Sequence, residues 1–180
     1  GTHLPDITAI SPVFADNQPA DNQSTGESPL FFVASRGHHA DIGGITPGSM
    51  PPNSTHLTQE GVLLDNFQLS AGGTIRLQAL RTHLSEGPYP ARNPAQNIAD
   101  LQAQIAANNK GIQELQRMVT QFGLRTVQAY MGHVQNNAEQ AVRQVIAHLY
   151  DQQGERPLTC RVPMDCGASV AVKLTLHPHR

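Results

Sequence analysis

The amino-acid sequence predicts an α+β fold in which mostly antiparallel strands accompany a long antiparallel helical hairpin. Two observations carry this prediction. Short apolar runs bounded by turn residues occur in residues 1–90 and again in residues 155–180, as expected for strands. Between them, in residues 94–153, apolar residues recur with the period of amphipathic helices. The chain has 180 residues, which is the size of one domain.

The strand and loop region, residues 1–90, contains the first predicted strands. The runs from Ile7 to Phe14 and from Leu30 to Ser35 are typical of strands, and a polar, exposed connection is predicted over residues 15–29. A third strand is predicted from Gly61 to Leu69, although its apolar residues do not alternate perfectly. After two glycines, residues 74–83 predict a short helix.

The helical hairpin is predicted over residues 94–153. Asn93 and Pro94 supply an N-cap and a proline at the first helical position, and Gly123 is a plausible C-terminal cap. Asn108 takes the place of an apolar residue in the stripe of the first helix. The second helix is expected to end near Gly154, and the short link predicts antiparallel arms of about 40 Å each.

The end of the chain and its composition limit the function classes. Residues 155–180 are predicted to start a further sheet, with alternation over residues 169–176. A net charge of −2 provides no basic field for nucleic acid. We see no apolar run that could span a membrane and no signal peptide, and the two cysteines are expected to be free thiols, so a cytoplasmic protein is predicted. Because the chain does not begin with Met, we expect it to be a piece of a longer protein.

The most specific chemical feature is a repeated His-x-x-Asp spacing. His3 and Asp6 form one pair, and His38 and Asp41 form another, each beside a predicted strand. Imidazole and carboxylate together suit Mn, Fe or Zn, so the two pairs could converge on one ion or on two. Two ordinary surface turns are an equally good interpretation. His39 adds a second open question, because either His38 or His39 could be the ligand.

Three neighbouring features are further candidates. Arg36 could hold a substrate carboxylate in a two-pronged contact, although an ion pair with Asp41 or another acid is slightly favoured. Glu60 could act as a general base or a further ligand, or could be an ordinary exposed carboxylate. The Gly/Pro loop after Asp41 could bind an anion through its backbone, but a tight turn that places Asp41 is the favoured interpretation.

The chain resembles the hydantoinase B/5-oxoprolinase family. The evidence is the long segment over residues 35–52, the first His-x-x-Asp segment over residues 1–8, an acidic step at residues 59–61, and a helical segment over residues 127–139. Within the family, the last segment is most similar to the hydantoinase B-like region of ATP-dependent 5-oxoprolinase. The resemblance implies that the chain is a partial hydantoinase B-like domain.

The resemblance also implies an activity and its partners. The enzyme is expected to hydrolyse 5-oxo-L-proline to L-glutamate, a step of glutathione metabolism, with ATP and Mg bound by a missing hydantoinase A-like half. A divalent metal (Mn, Fe or Zn) is expected on His3, Asp6 and His38, with Asp41 as a fourth ligand or an outer acid. Arg36 is then expected to hold the substrate and Glu60 to act in proton transfer. This fragment alone is expected to be inactive, and the whole enzyme to be a homo-oligomer without nucleic-acid or membrane partners.

Two alternatives remain open. The same scaffold could serve an N-methylhydantoinase or a subunit of the acetone and acetophenone carboxylase type. In a different class, the region could be a structural or assembly element without catalytic residues. The second alternative predicts that the two motif histidines can be replaced without loss of activity.

Overall fold

The computed structural model describes residues 3–15 and 28–177, so most of the predicted connection over residues 15–29 lies outside the described residues. The strands are β1 (Asp6–Val13), β2 (Phe31–His38), β3 (Ser70–Ala71), β4 (Thr74–Ile75), β5 (Leu158–Pro163) and β6 (Ser169–Leu174). The helices are α1 (Leu77–Ser85), α2 (Pro94–Phe122) and α3 (Leu124–Gln153). The strands form three antiparallel pairs, β1–β2, β3–β4 and β5–β6. The predicted α+β class is confirmed.

The β1–β2 pair has two different faces. Asp6 lies opposite His38 and Thr8 opposite Arg36, so these four residues share one face, because side chains alternate along a strand. This face is largely exposed, and farther along it Phe32 is 64% exposed. The opposite face packs on α2 through polar side chains of that helix. The hairpin is therefore anchored on one side and open on the other.

The hydrophobic core lies in the first part of the chain. It joins the loop after β2 to α1 and to the first turns of α2, through Ile42, Leu80, Leu84, Ala91, Ile98 and Leu101. Ile42 and Leu84 are completely buried. This packing fixes the start of α2 close to the end of β2, which is where the first candidate residues lie.

The limits of the long helices follow the predicted signals. The Asn93 side chain accepts a hydrogen bond from the Gln96 N–H at 3.3 Å, so it caps α2. Gly123 separates α2 from α3 and donates its N–H to the Val119 carbonyl, 2.8 Å away. Gly154 follows the end of α3. The antiparallel packing of the two helices stays a prediction.

Two local predictions were wrong. The segment from Gly61 to Leu69 is not a strand: Gly61 and Asn66 have positive φ angles of 144° and 49°, which interrupt an extended chain. Its apolar side chains pack individually against the core cluster. The short helix starts at Leu77 instead of Thr74, because Thr74 pairs with Ala71 across a tight turn.

The chain divides into two compact units, residues 1–118 and 119–180. The second unit contains the last turn of α2, the helix α3 and the β5–β6 pair. In β5–β6, Cys160 lies opposite Val172 and Val162 opposite Val170, so one face of this pair is apolar and exposed. Cys160 and Cys166 are free and exposed, as expected. Within the two described ranges, none of the helices combines the length and apolarity needed to cross a bilayer.

Candidate functional site

The candidate site is centred on the start of β1 and the end of β2. Asp6 and His38 are direct cross-strand partners, and the His38 Nδ1 lies 2.8 Å from the Asp6 Oδ1. The side chain of His38 is 51% exposed and that of Asp6 is 19% exposed. If Nδ1 carries the proton that Asp6 accepts, the other ring nitrogen keeps its lone pair. The pair can then act as a base or as a metal ligand.

His3 joins this pair through the turn that precedes β1. The Asp6 N–H donates to the His3 carbonyl at 3.0 Å, so the His-x-x-Asp spacing folds into a tight turn. The ring of His3 lies 6.5 Å from that of His38, centroid to centroid, at an angle of 84°. The first motif and the histidine of the second motif therefore lie together, although they are distant in sequence.

His39 is held in the interior, away from the open face. It is 2% exposed, and both its ring nitrogens have partners on α2. The Gln104 Nε2 faces two backbone carbonyls, so the Gln104 Oε1 accepts from the His39 Nε2 at 3.2 Å. The His39 Nδ1 then accepts from the Asn97 Nδ2 at 3.2 Å. Of the two adjacent histidines, His38 is therefore the accessible one, and its role as a ligand stays a prediction.

Asp41 organises the loop that follows β2. Its Oδ1 accepts from the N–H groups of Gly43 and Arg92 at 2.9 and 3.2 Å, and its Oδ2 accepts from the Gly48 N–H and the Arg92 guanidinium at 3.1 and 2.7 Å. Burial raises the pKa of Asp41, but these hydrogen bonds more than offset it, so the pKa lies below its usual range. The role of Asp41 as a metal ligand stays a prediction, and of its two predicted roles the outer one agrees better with these contacts.

The Gly/Pro loop uses its own backbone donors on Asp41. The N–H groups of Gly43 and Gly48 point at the carboxylate, which therefore occupies the position that an external anion would need. Gly43 has φ of 94°, and a Cβ there would lie 2.3 Å from the Tyr89 carbonyl oxygen. Ser49 closes the loop by accepting from the Ile42 N–H at 2.7 Å. These contacts favour the interpretation of a tight turn that places Asp41.

Arg36 lies on the open face next to the Asp6–His38 pair. Its Nε donates to the Thr8 Oγ1 at 2.8 Å, across the two strands. It lies two residues from His38, which corresponds to about 7 Å along the strand. Of the acids expected as possible ion-pair partners of Arg36, Asp41 pairs with Arg92 instead, and a pair of Arg36 with another acid stays a prediction.

Glu60 lies at the end of a short 3-10 helix, Leu57–Gln59. Its carboxylate accepts from the Ser54 hydroxyl at 2.8 Å and is partly buried. Its backbone lies against Gly44, where a Cβ would be 2.8 Å from the Glu60 carbonyl oxygen. The structure thus attaches Glu60 to the Gly/Pro loop, and its role in proton transfer stays a prediction.

Sequence reasoning missed the residues that hold the site from behind. Arg92 pairs with Asp41 and also donates to the Gly44 carbonyl at 2.8 Å. Asn97 and Gln104 are 2% and 9% exposed on the buried face of α2. The sequence did contain a signal for Asn97 and Gln104. Amides on an otherwise apolar stripe indicate specific hydrogen-bond partners, because a buried polar group needs one.

The residue types at this site are ones that bind divalent ions, but their side chains are not arranged as a metal site. Within residues 3–15 and 28–177, no three His, Cys, Asp or Glu side chains converge closely enough to hold a metal ion. Asp6 and His38 are nevertheless in contact, and the ring of His3 lies near that of His38. Two imidazoles and one carboxylate are ligands that Mn, Fe and Zn accept.

Comparisons with known proteins agree with one another. The model of the family described as hydantoinase B/oxoprolinase matches residues 1–180. The 5-oxoprolinase of Dictyostelium discoideum is 43% identical over 98% of this chain, and 5-oxoprolinase 1 of Arabidopsis thaliana is 40% identical over 98%. The chain spans 13% and 14% of the length of these two relatives.

A solved structure supports the fold. The ATP-dependent caprolactamase from Pseudomonas jessenii superimposes with a TM-score of 0.67 and 21% identity, covering 96% of this chain and 28% of that one. At this identity the likeness concerns the fold alone. A solved protein therefore shares the fold of this chain.

Proposed function

The chain belongs to the hydantoinase B/oxoprolinase family, and we propose that the full-length protein containing it is an ATP-dependent 5-oxoprolinase. The observation that carries the proposal is the 43% identity to a 5-oxoprolinase over nearly the whole chain. The proposed reaction opens the lactam of 5-oxo-L-proline to give L-glutamate. This region would handle the activated lactam, and a hydantoinase A-like half would bind ATP and Mg.

The chemistry explains why such a division is useful. A five-membered lactam is a poor electrophile, and phosphorylation of its oxygen at the ATP-binding half would create a good leaving group. Water then has to be delivered to the carbonyl carbon. The Asp6–His38 pair is an exposed base with a hydrogen-bonded carboxylate, which is the arrangement that general-base chemistry needs.

We propose that His3, Asp6 and His38 hold a divalent ion (Mn, Fe or Zn), with Asp41 as an outer acid that fixes the loop. Such an ion would polarise the carbonyl or lower the pKa of a water molecule. The proximity of the three side chains supports this ligand set. The proposed set leaves out His39, because both of its ring nitrogens have hydrogen-bond partners in the interior.

We propose that Arg36 binds the substrate carboxylate. Its guanidinium is exposed on the same face as the Asp6–His38 pair, and Thr8 fixes it through Nε. The separation of about 7 Å along the strand suits a small molecule whose carboxylate and reacting carbonyl are a few ångströms apart. Glu60 is proposed for proton transfer, from the loop that adjoins the site.

The test combines metal content with turnover in the full-length protein. Elemental analysis should find about one equivalent of Mn, Fe or Zn in the wild type, and His38→Ala should lose both the metal and ATP-dependent glutamate production. The control is His133→Ala, which removes another exposed imidazole, on α3. Metal-free but active wild-type protein would leave the Asp6–His38 pair as the base and refute the metal site.

The same assay separates the alternatives. Turnover of a hydantoin in place of 5-oxo-L-proline would favour the hydantoinase-type reaction. Full activity of His38→Ala with unchanged stability would favour a structural role for this region. Production of glutamate by the isolated 180 residues would contradict the proposal that the ATP-binding half lies elsewhere.

A further inference from the structure

Gln104 lies behind the candidate site, on the opposite face of the β1–β2 pair. Its Nε2 donates to the carbonyls of Ile7 and Ser35, at 3.0 and 3.1 Å. Ile7 follows Asp6 in β1, and Ser35 lies three residues before His38 in β2. One side-chain amide therefore links the two strands whose ends carry the two halves of the site.

The same amide also holds the chain immediately after His38. The Gln104 Oε1 accepts from the His39 Nε2, so the residue next to His38 is tied to α2. A Cβ on Gly37 would lie 3.5 Å from the Gln104 Cδ, which puts the residue before His38 in contact with the amide as well. Both sequence neighbours of His38 therefore lie against the Gln104 amide, while the ring of His38 lies on the open face of the hairpin.

The hydrogen-bonding capacity of the Gln104 amide is directed at these strands and this loop. It is 9% exposed, both of its N–H groups have carbonyl acceptors, and its oxygen has a donor. A buried amide with three partners is costly to replace, because each partner loses a hydrogen bond that water cannot easily supply. The cost alone does not assign a role, since any buried amide could be structural.

Asn108 provides the comparison that separates the two possibilities. It lies one helical turn farther along α2, is 1% exposed, and donates to the Ala9 carbonyl at 3.0 Å and to the Ser11 hydroxyl at 3.1 Å. Both of these hydrogen bonds go to β1, farther along that strand from Asp6. Asn108 is a buried amide on the same helix as Gln104, but neither of its two hydrogen bonds goes to β2.

We propose that Gln104 is a positioning residue that sets the separation of Asp6 and His38. It acts through the Ile7 and Ser35 carbonyls and through His39. This inference rests on the proposed function, because it concerns the metal-binding and water-activating pair of that site. Gln104 itself does not reach the open face, so it acts through the residues that do.

The test uses Gln104→Met and Asn108→Leu in the full-length protein, with Co²⁺ as the probe. Both substitutions remove the amide, keep a similar volume and favour helix. We expect Gln104→Met to weaken Co²⁺ binding by roughly 10- to 100-fold, as for other residues that orient ligands. Asn108→Leu should change the Co²⁺ affinity by less than about threefold, because Asn108 is not hydrogen-bonded to the strand that carries His38. Melting temperatures show whether the two variants lose similar stability.

Three results would overturn the inference. They are wild-type Co²⁺ affinity in Gln104→Met, an equal loss in Asn108→Leu, and an altered Co²⁺ absorption spectrum in both variants.

If the wild type turns over 5-oxo-L-proline without binding Co²⁺, the metal part of the proposed function fails, and kcat becomes the readout. Gln104→Met should then lower kcat at least tenfold with KM little changed, and equal effects in both variants would refute the positioning role. A wild type without either property refutes the proposed function and this inference with it.

Discussion

The carboxylate of Asp41 should determine how firmly the loop over residues 41–49 is held. In Asp41→Asn, one side-chain oxygen remains and the other is replaced by an NH₂ group. In either orientation of the amide, this group faces two donors, one of them from Arg92 and the other from Gly43 or Gly48. Two hydrogen bonds to a charged acceptor are therefore lost, while the backbone path of the loop is unchanged.

The expected magnitude follows from these contacts. A hydrogen bond to a charged group contributes about 1.5–3 kcal/mol. The Arg92 side chain is 40% exposed, so water replaces part of what it loses. The local free energy of opening should therefore fall by about 2–4 kcal/mol for the two bonds together. At about 1.4 kcal/mol per factor of ten, this corresponds to amide exchange roughly 30- to 1,000-fold faster.

Hydrogen–deuterium exchange of the full-length protein, read in peptides over residues 41–49, measures this effect. The matched control is Asp65→Asn, the same change at an exposed carboxylate that accepts from Asn66. Exchange at 41–49 should stay at the wild-type rate in the control. Unchanged protection in Asp41→Asn, or equal acceleration in both variants, would refute the reasoning that the carboxylate holds the loop.

Two further predictions concern the same loop. Because hydrogen bonds lower the pKa of Asp41 against the opposing effect of burial, its contribution is complete above the unfolded-state pKa and is lost as the pH falls through the folded-state value. Exchange at 41–49, corrected for its intrinsic rate, should be constant between about pH 5 and 8 and accelerate only in acid, and a change near neutrality would contradict this assignment. Gly43→Ala should lower the melting temperature well below that of Gly73→Ala. Both residues have positive φ, but a Cβ meets the Tyr89 carbonyl at 2.3 Å only in the first, so equal losses would exclude the close approach.

Local signals predicted the regular elements well. The caps at Asn93 and Gly123 and the strands around Ile7 and Phe31 depend on neighbours in sequence, and the structure has them within a few residues. The segment from Gly61 to Leu69 was predicted as a strand because its side chains are apolar. These side chains are apolar because they pack against the core of the first unit. An irregular backbone can place them there as well as a strand can.

The site could be predicted only in part. The spacing of His3 and Asp6 folds into a local turn, and the strand pairing then brings His38 opposite Asp6. Which of the two rings, His38 or His39, is buried could not be predicted, because the hydrogen-bond partners of the buried ring lie on α2. The role of Arg92 was not predicted either, because nothing near Asp41 in sequence indicates an ion-pair partner so far along the chain.

The three buried amides of α2, Asn97, Gln104 and Asn108, have a consequence for how the helix finds its place. A helix can slide along a hairpin by one turn, about 5.4 Å, and an entirely apolar stripe would pack acceptably in both alignments. Sliding would separate these amides from their acceptors in the Asp41 loop and the β1–β2 pair. An unpaired buried amide costs about 1–3 kcal/mol, so three cost roughly 3–9 kcal/mol, which is comparable to the net stability of a whole domain. The amides therefore admit a single alignment of helix and hairpin during folding.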